Sequence, residues 1–435
     1  MQCFKVLICY YDLAMNIKTV FRALRHKNYR LFFSGQSISL IGTWMQQIAV
    51  SWLVYSMTNS AFLLGLVGFS SQISTFFLAP LAGVIADRHH RHTLLLITQS
   101  LAMLQAFVLF VLYVTHTIAV WHILLLSLFL GAVNAFDIPV RQSFTVDMIN
   151  DREDLSNAIA LNSSMVNAAR LIGPSIGGVL IALFGEGTCF LINALSYIAV
   201  LFSLLMMKLP RWERSSHQKE SVILQLKEGF FYALNFMPIR TILMLLSVIS
   251  MVSGGVQALM PVFARDIFHG GSRSLGLLMA ASGFGALAGA IYLANRKNVL
   301  GLGKVIAWTA ALFGAGVIIF SRISVLMVAM PILLFSGFGM MVQMASSNII
   351  LQTIVEEDKR GRVMSFYTMA FMGLSPFGSL LSGVLAAKIG ADNTLLWGGA
   401  LCIIAASLFT LHLPKFRSFV RPVYIQKGIL PEPIH

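Results

Sequence analysis

Charge is what this chain has least of. Only 11% of its 435 residues are Asp, Glu, Lys or Arg, where a soluble protein carries roughly a quarter. A water-facing surface cannot be built from so little. Cysteine is scarce as well: Cys3, Cys9, Cys189 and Cys402 are scattered, with no CxxC pair or metal spacing, so neither a disulfide framework nor a zinc site is expected. Catalytic signatures are missing. The nearest approach to a phosphate-cradling loop, "GLGK" at 301–304, lacks the required spacing. Nothing resembles a zinc hydrolase or a serine nucleophile elbow, and an intramembrane enzyme would need paired carboxylates or a Ser/His pair. No enzyme, cofactor or metal is therefore expected. The opening "MQCFKVLICYYDLAM" holds a weak apolar patch broken by Asp12 and has no small-residue cleavage site, so a signal peptide is not expected. Met1 and Met15 both remain candidate starts.

What is there is apolar sequence, 57% of the chain, in runs of about 20 residues, the length a helix needs to span hydrocarbon. Twelve spans are predicted, near 31–56, 61–86, 93–114, 119–141, 157–183, 188–208, 240–264, 274–295, 304–321, 324–350, 363–387 and 393–412. This arrangement puts both termini on one side. Of the 31 lysines and arginines, Arg265, Arg273, Arg322 and Lys388 fall on the other side, Arg170 falls inside a span, and the remaining 26 share the side of the termini. By the positive-inside rule that side is cytoplasmic. The net charge of +14 is then a topology signal, aided by anionic lipid, and no nucleic-acid partner is expected.

The spans divide into two groups of six. The predicted organisation is a cytoplasmic N-terminal segment at 1–30, a six-helix bundle at 31–208, a cytoplasmic linker with a surface helix at 209–239, a second bundle at 240–412, and a cytoplasmic tail at 413–435. The halves echo each other: "GLVGFSSQISTFFLAPLAGVIADR" (65–88) parallels "GLLMAASGFGALAGAIYLANR" (276–296), and "GPSIGG" (173–178) parallels "SPFGSLLSG" (375–383). Repeated halves place a transporter's binding site between them, near the midplane.

Polar residues inside the membrane are costly and usually face a cavity or another helix. Spans one, four, seven and ten carry such stripes, with Gln36, Ser39, Thr43 and Gln47 in the first and Ser127, Asn134, Asp137 and Arg141 in the fourth. The seventh has Ser250, Ser253 and Gln257, and the tenth has Ser336, Gln343 and Ser347. For any single residue, interhelical glue is an equal reading; the four stripes together point to an aqueous path. In the fifth span Asn167 and Arg170 lie on one face. Arg170, near mid-membrane, either binds an anionic or catecholate-like group or pins helix to helix. Asp137, the only acid inside a span, either carries a proton or forms a gate ion pair with Arg141, four residues on. The candidate cavity is therefore Gln36, Thr43, Gln47, Asn134, Asn167, Arg170, Gln257 and Gln343.

The loop "GVIADRHHRH" (83–92), between spans two and three, resembles the hallmark of the major facilitator superfamily. Gly83, Asp87, Arg88 and Arg91 match it, while His90 and His92 replace the usual second Gly and second basic residue. The resemblance implies a latch at the cytoplasmic face, in which Asp87 meets the start of the eleventh span (Arg362–Phe366) and Arg141. An Asp at a helix N-terminus is favoured by the helix dipole. "GPSIGG" resembles the antiporter motif of drug/proton exporters, with Gly173, Pro174, Gly177 and Gly178 matching and Ala160 and Ala169 in place of upstream glycines. "NAFDIPVRQSFTVDMI" (134–149), "LSNAIALNSSMVNAARLIGPSIGG" and "CFLINALSYIAVL" are similar to the branch that includes enterobactin exporters and related drug efflux proteins.

The resemblance implies an all-α polytopic protein of two pseudo-symmetric six-helix bundles in the bacterial inner membrane. It would export a small amphipathic molecule, a siderophore or drug, by alternating access coupled to protons. The expected partners are that substrate, protons and membrane lipid, with the chain acting as a monomer. A lysophospholipid flippase or importer of the same fold, and a non-transporting sensor or scaffold, are the alternatives.

Overall fold

In the computed structural model the described residues are 21–149, 151–207, 231–233, 235–296, 298–356, 359–427 and 429; the side chains of 79–88 and 152 lie outside the description. The surface helix expected within 209–239 falls mostly outside the described residues, as does most of the 1–30 segment. No strand occurs among the described residues.

Twelve long helices follow in order: α1 (Lys27–Thr58), α2 (Ala61–Arg88), α3 (Arg91–Val114), α4 (Val120–Asp147), α5 (Arg152–Phe184), α6 (Glu186–Leu205), α7 (Met237–Val262), α8 (Ser272–Ala294), α9 (Leu302–Ser321), α10 (Leu326–Ile354), α11 (Arg360–Ile389) and α12 (Ala391–Gln426). Eleven are long and apolar enough to cross a membrane. The other, α1, is diluted by amides and hydroxyls but spans 32 residues, about 48 Å at 1.5 Å per residue. The exterior is apolar, with Trp308, Met327 and Leu411 each more than 70% exposed, the inverse of a soluble surface.

Tight connections turn the chain back between several successive helices. Asn59 closes α1 in the left-handed region (φ 50°), donating its N–H to Tyr55 O at 2.9 Å. Gly185 (φ 82°) joins α5 to α6 and Gly390 (φ 87°) joins α11 to α12, equivalent positions in the two halves and a conformation that glycine adopts without steric cost. Wide π-helical turns interrupt the ladder at Phe263–Ile267, just after α7, and at Met369–Gly373 within α11.

The two bundles repeat one packing scheme. In the first, α1 packs on α5 and α6, α4 on α2 and α3, and α3 on α6; in the second, α7 packs on α11 and α12, α10 on α8 and α9, and α9 on α12. Every pair recurs six helices later. The last helix runs past the expected span end and into the tail segment. It continues fourteen residues past 412, burying Leu413, Phe416, Val420 and Tyr424, one face at helical spacing. Lys415, Arg417 and Arg421 on the other faces hide that continuity in a plain hydropathy reading.

Candidate translocation site

The halves meet chiefly through two symmetry-related pairs, α5 with α8 and α2 with α11. Both seams close toward the face opposite the termini. A Cβ on Gly178 would lie 2.7 Å from Ser272 O and 3.0 Å from Gly276 Cα; one on Gly65 would lie 2.5 Å from Ser379 O and 2.9 Å from Gly383 Cα. These glycines belong to the very segments that echo each other in sequence. Ser272 Oγ also donates to Gly178 O at 3.0 Å. At the same face Tyr55 of α1 donates its hydroxyl to Asp266, and Arg265 donates to Tyr55 O at 3.3 Å, fastening α1 to the end of α7. Of the other glycine-motif residues, Gly173 and Gly177 receive Trp44, Met45 and Ile48 of α1, and Pro174 presents its carbonyl to Gly276.

Below this closure a cavity of about 50 Å³ lies between the halves, room for water but not for a drug-sized guest. The first half contributes Trp44 and Arg170, and the second contributes the rest from α7, α8, α9 and α10, including Ser253, Gln257, Met260, Met279, Ser282, Phe313, Ser336 and Met340. The Arg170 guanidinium stands over the Trp44 ring, 5.6 Å from its centroid. Of the eight expected cavity residues, Arg170 and Gln257 border this space.

The others lie elsewhere. Thr43 sits 3.4 Å from Tyr197 Oη, between α1 and α6. Gln36 and Gln343 are buried, each with a side-chain oxygen lacking a partner among the described residues; Gln343 Nε2 donates to Ser347 at 3.3 Å. Asn167 bonds back to Ser163 O of its own helix at 2.9 Å, Asn134 is half-buried, and Gln47 is exposed.

Asp137 is 4% exposed and well partnered. It accepts from Thr98 Oγ1 at 2.9 Å and Gln99 Nε2 at 2.7 Å, both on α3, and pairs with Arg141 Nε at 3.6 Å. These contacts fix the side chain inside the first bundle. A second network, not anticipated from sequence, runs through the same bundle: Gln46 Nε2 donates to Gln105 Oε1 at 2.9 Å, and Asn193 Nδ2 donates to Gln46 Oε1 at 2.8 Å. It joins α1, α3 and α6. Gln46 and Gln47 are adjacent amides that the sequence does not tell apart, and Trp44 in an apolar run carries no pattern of its own.

At the face of the termini, Arg91 pairs with Asp147 at 2.8 Å, tying the start of α3 to the end of α4. His92 bonds the Leu204 carbonyl at 2.8 Å. The side chains of Gly83, Asp87 and Arg88 lie outside the described residues, while Arg362 occupies the first turn of α11. Among the described residues no cluster suits a metal ion.

The chain matches the profile of the family described as transmembrane secretion effector over residues 18–424. It is 28% identical over 374 residues to the staphyloferrin A transporter of Staphylococcus aureus, covering 84% of this chain and 91% of that protein. It is 24% identical over 405 residues to the enterobactin exporter EntS of Citrobacter koseri (93% and 96% covered), and 21% identical over 394 residues to macrolide efflux protein A of Streptococcus pyogenes (88% and 96%). Among solved structures, a bacterial homolog of the human lysosomal transporter Spinster, inward-facing and unoccupied, aligns with TM-score 0.67 at 14% identity, over 91% of this chain and 98% of that one. A bacterial homologue of the iron transporter ferroportin, in an inward-facing state, aligns with TM-score 0.66 at 16% identity, over 90% and 98%. These structural likenesses concern the fold.

Proposed function

The chain belongs to the transmembrane secretion effector family of major facilitator transporters and is a membrane transporter, not an enzyme; from that premise we propose that it exports a small amphipathic molecule, a siderophore or a drug, by alternating access coupled to proton entry. The observation that carries this reading is the asymmetric closure of the interface. Glycine seams seal the face opposite the termini, and a small cavity, mostly apolar but with Arg170, Gln257 and three serines in its lining, lies just inside the seal, an arrangement suited to two rigid bundles rocking about a central site. The basic excess on the termini's side supports a cytoplasmic assignment for that face in the inner membrane, so on this reading the face sealed by the glycine seams is the outer one.

In this scheme Asp87, Arg88, Arg91, Arg141 and Arg362 hold the cytoplasmic side shut in the opposite state. The carboxylate of Asp137 is the group through which a proton would act, either by loading or by releasing Arg141. The kinship with siderophore and drug transporters supports the direction and the cargo class. Iron-limited cultures with and without the gene, compared by untargeted mass spectrometry of supernatant and cell extract, test it. The expected result is one metal-chelating metabolite lost outside and accumulated inside without the gene. Matching supernatants would remove export of an endogenous chelator.

A further inference from the structure

Among the described residues Arg170 is a charge without a counter-charge. Among the described residues it makes no salt bridge, and no side chain or carbonyl accepts a hydrogen bond from its guanidinium; its close neighbour is the Trp44 ring. The other two charges deep in the first bundle, Asp137 and Arg141, satisfy each other. No residue bordering the cavity is acidic. A cation held there costs stability unless something anionic joins it.

The rest of the lining suits such a guest. Ser253 gives its hydroxyl proton to the Met340 thioether at 2.9 Å, a weak acceptor that a carboxylate would outcompete. Gln257 and Ser282 offer further donors on the same wall, and Met260 and Met279 supply soft, adaptable apolar surface.

We propose that this cavity is an anion subsite. It takes the carboxylate, or an equally compact anionic group, of an amphipathic small molecule, with Arg170 as the counter-charge and the methionines against the apolar body, and it discriminates against cations of the same shape. The proposal rests on the transport reading for its account of cargo, and the binding it describes is testable without transport. The cavity widens to admit the guest, by separation of the bundles on the side of the termini.

The test uses the full chain in phosphatidylcholine nanodiscs, with Trp44 kept and Trp52, Trp121, Trp212, Trp308 and Trp397 replaced by Phe. Trp44 fluorescence is titrated with 2-naphthoate, 2-naphthylmethanol and 2-naphthylmethylammonium. Saturable quenching by the naphthoate, tighter than by the ammonium probe by about tenfold or more, is expected. Arg170→Gln should abolish that preference while leaving the alcohol unchanged, and Arg170→Lys should restore part of it. Arg170→Met should raise the melting temperature, since it removes an unpaired charge; a helix-pinning arginine would lower it. Equal affinity for the three probes, or an Arg170→Gln protein that still prefers naphthoate, would overturn the proposal.

Adding phosphatidylglycerol to the nanodiscs separates a soluble anion from a lipid headgroup. Unchanged naphthoate affinity supports the soluble ligand, and competitive loss would assign the subsite to lipid and overturn it. Failure of export is a distinct outcome: matching supernatants beside Arg170-dependent naphthoate binding would remove the export reading and leave the anion subsite standing.

Discussion

The two bundles share one packing scheme and differ in what fills it. The first is knitted by buried polar contacts: Asp137 with Thr98, Gln99 and Arg141, and Gln46 with Gln105 and Asn193. The second presents no ion pair in its membrane interior among the described residues and faces the cavity with serines, methionines, Gln257 and Phe313. Helix pairing alone therefore does not dictate interior chemistry. Small residues at the crossings set the geometry, and each half then adopts its own glue. A hydrogen-bonded bundle resists repacking, whereas methionine-rich walls adjust to a guest. The division of labour that follows is a stiff half holding the charge and an adaptable half shaping the pocket.

The largest effect should come from breaking the first bundle's ion pair. Asp137→Ala removes the buried member of the pair, leaving the half-buried Arg141 and the Thr98 and Gln99 donors without their acceptor, and should cost about 3–5 kcal/mol, read as a drop in melting temperature of the purified protein. The milder Asp137→Asn should still insert but lose proton-driven transport; unchanged export in that variant would remove Asp137 from coupling.

Next come the seams, where the comparison is of likeness. Gly178→Leu and Gly65→Leu place side chains against backbone at symmetry-related sites and should each cost about 1–3 kcal/mol. Both should also increase labelling of a cysteine placed at the opposing helix from the side opposite the termini. A large effect at one and none at the other would break the pseudo-symmetry.

A smaller loss, about 1 kcal/mol, is expected for Gln46→Leu, which removes interhelical amide bonds. In the second bundle, Gln257→Leu breaks no side-chain hydrogen bond among the described residues and should change thermal stability less, a contrast that the same melting measurement checks. Smallest is Asp147→Asn, whose pair with Arg91 is partly exposed on both sides; roughly 0–1 kcal/mol is expected, and the loss should shrink further in high salt.

Much of this was legible in the sequence, for identifiable reasons. Runs of membrane length announce the long helices, eleven of them strongly apolar and α1 diluted by amides and hydroxyls. Asp137 and Arg141, four apart on one helix, announce their pair. The repeated glycine-bearing segments announce the seams. Other features were not readable. When a helix is apolar on every side its amphipathic phase is weak, so Gln46, turned inward, and Gln47, exposed, look alike. Thr98 and Gln99 meet Asp137 only because α3 packs on α4, which local sequence does not specify. The end of α12 was lost because its charges mask a buried face.

The central claim is that the two halves move as bodies, opening one face as the other closes. Electron–electron spin distances on a chain whose four cysteines are replaced test this directly. One label pair sits on the far face (Thr117 and Ser324), the other near the face of the termini (Val146 and Gln352), all four positions being exposed. Acidification should lengthen the first distance in the same population in which the second shortens. Two distances that stay fixed, or that lengthen together, would contradict alternating access.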